Sequence, residues 1–320
     1  LGDGASTSKK YYFFEINDGA ALTLKGLEIH GLLDGNVVAA SMVLFDARPN
    51  PSEARIGNFV IENCVFHDFK DNIFHGMKDA YARGLIQDSV FIDNVVVYNA
   101  KHFLQYKHVS LHHLEMTNST IYDLKGMALK IGKIGYRCVL EHPGKPYVPL
   151  TDETITPTGF IDHCTMNNLG DIHGHVQIDE AYHTFNISNS IISNQQEFKQ
   201  PPVYLNDATV DSAIIFSNTC FWNTAGFNSV NKSVYIFQDT ILMNPDFKNT
   251  AEPDFSLPEG SGLLSFADDN SAIGDPGWKF YLTSATNFIQ NESLSLTCFP
   301  NPFTNNLKID FALKSKNHVS

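Results

Sequence analysis

The chain has 320 residues, with 22 basic and 35 acidic side chains and a net charge of −13 with histidine neutral. Neutralising phosphates needs a basic face, so this balance excludes non-specific nucleic-acid binding and leaves an acidic polymer only to a local basic patch. No apolar run is long enough to span a membrane, and the five cysteines, with no CxxC and no close pair, form neither a metal nor a redox motif.

Residues 1–10 (LGDGASTSKK) are a polar lead-in, followed at once by strand-like YYFFEI (11–16) and ALTLKGLEI (21–29). The chain starts at Leu1 without a secretory leader, so a mature or trimmed product is expected. No amphipathic helix precedes the first strands to cover a solenoid end, so the natural protein is expected to begin upstream. An eight-residue phrase then sets the pattern. Residues 61–68 (IENCVFHD) read apolar, x, Asn, small, x, apolar, x, Asp. The phrase returns at 86–93, 116–123, 161–168, 187–194, 216–223 and 237–244, with a weaker copy at 24–31. Its second apolar position (Phe66, Phe91, Ile121, Met166, Ile192, Phe221, Leu242) recurs at intervals of 25, 30, 45, 26, 29 and 21 residues. Such a period means stacked units, none of which can bury its apolar side alone. β-branched and aromatic residues dominate, and no helical periodicity is sustained.

The third position (Asn63, Asp88, Asn118, His163, Asn189, Asn218, Asp239) is expected to form a structural ladder at a corner. Asn tolerates the left-handed conformation of a tight corner and hydrogen-bonds its own backbone. The small position (Cys64, Ser89, Ser119, Cys164, Ser190, Thr219, Thr240) is expected to pack rather than act as a set of nucleophiles, with Cys64 and Cys164 as buried free thiols.

After each phrase comes a further short apolar strand. Alternation directs Leu104, Tyr106, Leu129, Ile131, Val176, Ile178, Val203 and Leu205 inward. Gln105, Lys107, Lys130, Gln177, Asp179, Tyr204 and Asn206 then face outward on one sheet, with Lys78 as an additional member, and form a groove for an extended polymer. The 45-residue interval contains a long excursion (residues 134–159) that carries Arg137, His142, Lys145 and Tyr147. Histidines cluster at 102, 108, 112 and 113 and again at 173, 175 and 183; the HxH at 173–175 would place two rings on one strand face. From Ile236 the pattern closes, and Trp278 is expected to cover the open end; residues 279–293 read as a linker.

The repeated phrase with its corner Asn resembles the right-handed parallel β-helix family of pectate-lyase-like proteins, and most of all the chondroitinase B and alginate lyase branch, over roughly residues 11–278. The expectation is an all-β solenoid of about 8–10 coils across residues 1–278. Residues 294–313 (LSLTCFPNPFTNNLKIDFAL), with Phe299-Pro300-Asn301-Pro302-Phe303 and the alternating Leu307, Ile309 and Phe311, resemble the start of the C-terminal sorting domain of type IX secretion. On that resemblance, residues 294–320 open a small β-sandwich-like module read by the secretion machinery. The protein is then secreted or held at the cell surface, and a monomer is expected.

What the family resemblance implies for function is a polysaccharide lyase acting on a uronate-containing polymer. Elimination needs a group that neutralises the uronate carboxylate, a base for the C5 proton and a donor at the leaving oxygen. Lys107 and Lys130 are the candidate bases and Arg137 the candidate neutraliser, with Ca²⁺ as the alternative; Gln105, Gln177, Asp179, Tyr204 and Lys78 would bind the chain. The calcium-dependent relatives carry a Glu-rich strand leading into Asn-Lys-Ser and an Arg-His-Gly phrase downstream, an arrangement that does not occur here. A second reading is a non-catalytic carbohydrate-binding or adhesive β-helix, with Tyr106, Tyr182, Tyr204 and Trp222 as exposed stacking platforms. A third is a glycoside hydrolase, which needs two carboxylates about 5–10 Å apart. Asp179 could be one of them, while its neighbour Glu180 would face the other way.

Overall fold

The computed structural model describes residues 14–16, 20–33, 36–37, 42–45, 54–76, 85–106, 109–134, 158–170, 174–181, 184–208, 213–227, 234–278 and 297–299. The chain is a parallel β-helix with three sheets. The first sheet stacks Phe14–Ile16, Val43–Phe45, Phe74–Gly76, Leu104–Tyr106, Leu129–Ile134, Val176–Ala181 and Val203–Ala208 in parallel register. The second stacks Ala21–Lys25, the front of Ala54–His67, the front of Leu85–Tyr98, Val109–Thr117, Thr158–Asp162, Thr184–Ser188, Ala213–Ser217 and Tyr235–Gln238. The third stacks Glu28–His30, the ends of the two long strands, Thr120–Tyr122, Thr165–Asn167, Ile191–Ser193, Cys220–Trp222 and Ile241–Leu242. Apart from the copy at 86–93, each copy of the phrase makes the bend from the second sheet into the third. Among the described residues no helix is long and apolar enough to cross a membrane.

The corners explain the Asn column. Asn63, Asn94, Asn118, His163, Asn189, Asn218 and Asp239 have φ between 45° and 55°, and Gly26 fills the same place in the first coil at 62°. The final position of the phrase makes a second left-handed corner at Asp68, Asn99, Asp123, Asn168, Asn194 and Asn223. Side-chain amides link successive coils along both corners: Asn94 Nδ2 donates to Asn63 Oδ1 at 2.5 Å, Asn168 Nδ2 to Asp123 Oδ1 at 2.6 Å and Asn223 Nδ2 to Asn194 Oδ1 at 3.0 Å.

One coil departs from the sequence reading. The ladder residue of the third coil is Asn94, not Asp88, and its small position is Val95, paired with Cys64, not Ser89. The inward apolar residue is therefore Val97, paired with Phe66, rather than Phe91. Strand Leu85–Tyr98 is long, and its ordinary alternation imitates the phrase six residues early. Only the residue that adopts positive φ fixes the register.

The interior is continuous and apolar. Ile61, Cys64 and Phe66 of one phrase are all fully buried, as are Leu104, Tyr106, Leu129, Ile131, Val176, Ile178 and Val203 of the first sheet. At the small position the hydroxyls join neighbouring coils. Ser119 Oγ accepts from Val95 N–H at 3.1 Å and donates to Thr117 O at 2.6 Å; Ser190 Oγ accepts from Cys164 N–H at 3.1 Å. Cys64, Cys164 and Cys220 are buried free thiols, and burial pushes Cys64 and Cys220 up to about 11. They are inert at neutral pH, in keeping with a packing role.

After the last coil the chain does not stop at the solenoid end. Residues 243–278 turn back and run along the outside of the third sheet. Trp278 therefore does not cover the open end. It lies against Tyr122, Val96 and Phe255 in the middle of the stack, and its Nε1–H donates to Thr120 Oγ1 at 2.7 Å. Of the expected C-terminal module, Thr297–Phe299 is described, and it pairs antiparallel with Ala21–Thr23; the linker and the remainder lie outside the described residues.

Candidate functional site

The first sheet brings together an outward column. His75, Gln105, Lys130, Gln177 and Tyr204 are direct register partners on five successive coils. With strands about 4.8 Å apart, the column is roughly 19 Å long. The alternation that aims Leu104 and Tyr106 into the core aims Gln105 out, and the same logic sets Lys130 between Leu129 and Ile131. The column is internally bonded: Lys130 Nζ donates to Gln177 Oε1 at 3.1 Å, and Asn72 Nδ2 donates to Gln105 Oε1 at 2.5 Å. Gln177 is shielded to 3 % exposure although it faces outward, while Gln105, Lys130 and Tyr204 are half-buried.

Of the other sequence candidates, Asp179 lies in strand Val176–Ala181. Lys107, Arg137 and Lys78 fall outside the described residues, as do Tyr182, His173 and residues 135–157 of the excursion. Two aromatic expectations are corrected. Tyr106 is fully buried, and its hydroxyl donates to Gln87 Oε1 at 3.4 Å. Trp222 is 39 % exposed but belongs to the third sheet, away from the column. Asn72 and His75 were missed by the sequence reading. The signal was available, because Phe74 pairs with Leu104 and so places His75 beside Gln105.

The HxH reading is also corrected. Gly174 sits at φ 87°, and His175 turns fully inward. Its Nε2–H donates to Ser193 O at 3.1 Å, and Nδ1 has no partner. Burial pushes its imidazole down to about 4, so the ring is neutral and structural. His102 is buried as well, with Nδ1 accepting Met127 N–H at 2.8 Å.

On the third sheet, the returning segment supplies what solvent would otherwise meet. Asp275 is buried there; Thr120 Oγ1 donates to its Oδ2 at 2.6 Å and Gly277 N–H to its Oδ1 at 2.7 Å, while its own N–H donates to Thr165 Oγ1 at 3.0 Å. Burial pushes the carboxyl up to about 6 against those hydrogen bonds. At the corner above, Asn189 exchanges hydrogen bonds with Asp268, each 3.1 Å. Burial raises Asp162, but hydrogen bonds from His163, Ser188 and Asn189 outweigh it and hold the carboxyl below the ordinary range. The same contact raises His163, whose Nδ1 lies 2.7 Å from Asp162 Oδ2.

Comparison with known proteins adds one match. A family model described as a domain of unknown function (DUF5123) matches residues 159–278, from the fifth coil to the end of the returning segment. No curated protein matches the chain.

Proposed function

We propose that the protein is an exported β-helix protein that acts on a uronate-containing polysaccharide laid along the first sheet, and that it does so by β-elimination. The observation that supports this is the in-register column His75–Gln105–Lys130–Gln177–Tyr204, which presents a cation among amides, an imidazole and an aromatic ring at one coil spacing. A polymer running along the solenoid axis meets these groups in sequence. In elimination a base takes the C5 proton, the C4–O bond breaks, the leaving oxygen gains a proton and a C4–C5 double bond forms. Lys107 and Lys130 are the proposed bases and Arg137 or Ca²⁺ the proposed neutraliser of the carboxylate, with Gln105, Gln177, Asp179, Tyr204 and Lys78 binding the chain.

One observation favours non-catalytic binding as the second reading. Lys130 Nζ is anchored to Gln177 Oε1 at 3.1 Å within a row of amides and a tyrosine ring, an arrangement that suits holding a polymer as well as reacting with it. The two readings separate in one experiment. The protein is incubated with alginate, chondroitin, dermatan or pectate, with Ca²⁺ or with chelator, and far-ultraviolet absorbance of the unsaturated product is followed. A rise that disappears in Lys130→Ala supports the lyase. Retardation in a polymer-containing gel without any rise supports the binding module, and neither signal with any polymer removes both readings for those substrates.

A further inference from the structure

The first two coils carry a group of side chains that the proposed function does not use. Glu28 and His30 are two residues apart on strand Glu28–His30, so they share its outward face. His67 is the direct register partner of His30 on the next coil, and the two rings lie 5.5 Å apart. A residue, its neighbour two along and the cross-strand partner form a three-point platform on one face of a sheet.

His67 is held as a ligand would need to be. Its Nδ1–H donates to Asp68 Oδ2 at 2.7 Å, which leaves the lone pair of the neutral ring on Nε2. Asp68 is itself fixed by Asn99 Nδ2, and the ring is stacked on Tyr98 at 4.7 Å and 5°. Nε2 is buried and has no hydrogen-bond partner, and Glu28 Oε1 lies 3.5 Å from it. That separation suits two donors sharing one ion at about 2.1 Å each. Among the described residues no three such side chains already stand at ligand distances, so the third ligand must swing in. His30 is exposed, and the site requires its ring to turn toward Glu28 and His67.

We propose that Glu28, His30 and His67 bind a divalent transition-metal ion of the Zn²⁺ class, with Asp68 as the orienting carboxylate behind His67. Two imidazoles and one carboxylate are the donor set that borderline ions prefer over Ca²⁺ or Mg²⁺, and three protein ligands leave positions for water or a ligand oxygen. This site is separate from the polar column and does not depend on the function proposed for it.

The test is Zn²⁺ titration of the full chain by calorimetry, with Co²⁺ absorption as a readout of coordination and far-ultraviolet circular dichroism as the folding control. One ion per chain is expected, with affinity reduced at least tenfold in His30→Ala and in Glu28→Gln, both of which alter exposed residues. Asp68→Asn is expected to weaken binding about 10–100-fold while keeping all three ligands. The chain has 13 histidines, so the variants decide the location. Absence of saturable uptake overturns the site, as does uptake that His30→Ala and Glu28→Gln leave unchanged. In either case the Glu28–His67 contact is an ion pair only.

Discussion

The first and third sheets grow from the same coils, yet they end differently. On the third sheet the chain covers its own work: residues 243–278 return over it, Trp278 and Phe255 close on Tyr122, and Asp275 is clipped to Thr120 and Thr165. On the first sheet, Gln105, Lys130 and Tyr204 stay half-exposed in a register column. A solenoid needs only its interior to fold, so each outer face is free to take another task. The contrast places the clip on the third face, the proposed function places recognition on the first, and the pair can be broken at either one.

The largest effect is expected at the clip. Trp278 buries its ring against Tyr122 and Phe255 and donates to Thr120, so Trp278→Ala should cost roughly 3–5 kcal/mol in chemical denaturation. Polymer retention by the folded variant should stay unchanged, because no residue of the first sheet is touched. A loss of retention at full stability would show that the two faces are not separate. Asn189→Ala removes the bonds to Asp162 and Asp268 at one corner and should cost about 1–3 kcal/mol by the same assay.

Two buried groups give the comparison a pH signature. His175, at the start of a first-sheet strand, has its pKa depressed to about 4, so its contribution is present above the ordinary 6.5 and lost as pH falls through 4. Asp275, under the third face, has its pKa raised to about 6. Its contribution is full below the ordinary 3.8 and lost as pH rises through 6. At 1.36 kcal/mol per pKa unit each amounts to about 3 kcal/mol, with opposite slopes between pH 4 and 6. They nearly cancel in the intact protein. Relative to it, Asp275→Asn should make stability rise from pH 4 to 6, and His175→Gln should make it fall. Unfolding midpoints across that range check both, and equal slopes in the two variants would refute the assignment.

The sequence carried the fold because the corners demand a left-handed residue, and Asn or Asp meets that demand at both ends of nearly every phrase. The third coil was misread for the same physical reason that strands are hard to phase. Period-two alternation in Leu85–Tyr98 repeats itself, and only Asn94 and Asn99 break it. The path of residues 243–278 was not legible. Its anchors, such as Thr120 with Asp275, join positions 155 residues apart and follow no period. In the polar column, alternation gave the direction of Gln105, Lys130, Gln177 and Tyr204. It could not give the shielding of Gln177, which depends on what lies over the sheet rather than on the strand itself.

The smallest stability effect belongs to the residue with the largest proposed role. Lys130 is half-buried and donates to the neutral amide of Gln177, so Lys130→Gln should leave stability within about 0.5 kcal/mol. Gln keeps a donor for Gln177 but has no charge. If the column reads a uronate, the variant should lose retention of anionic polymers, and the salt dependence of that retention should weaken with it. Retention that survives without the lysine would move the polymer off this face, because Lys130 is the one lysine or arginine in the column His75–Gln105–Lys130–Gln177–Tyr204. A loss of retention together with a loss of stability would say instead that the Lys130–Gln177 bond holds the sheet, and that the first face, like the third, is built for the fold.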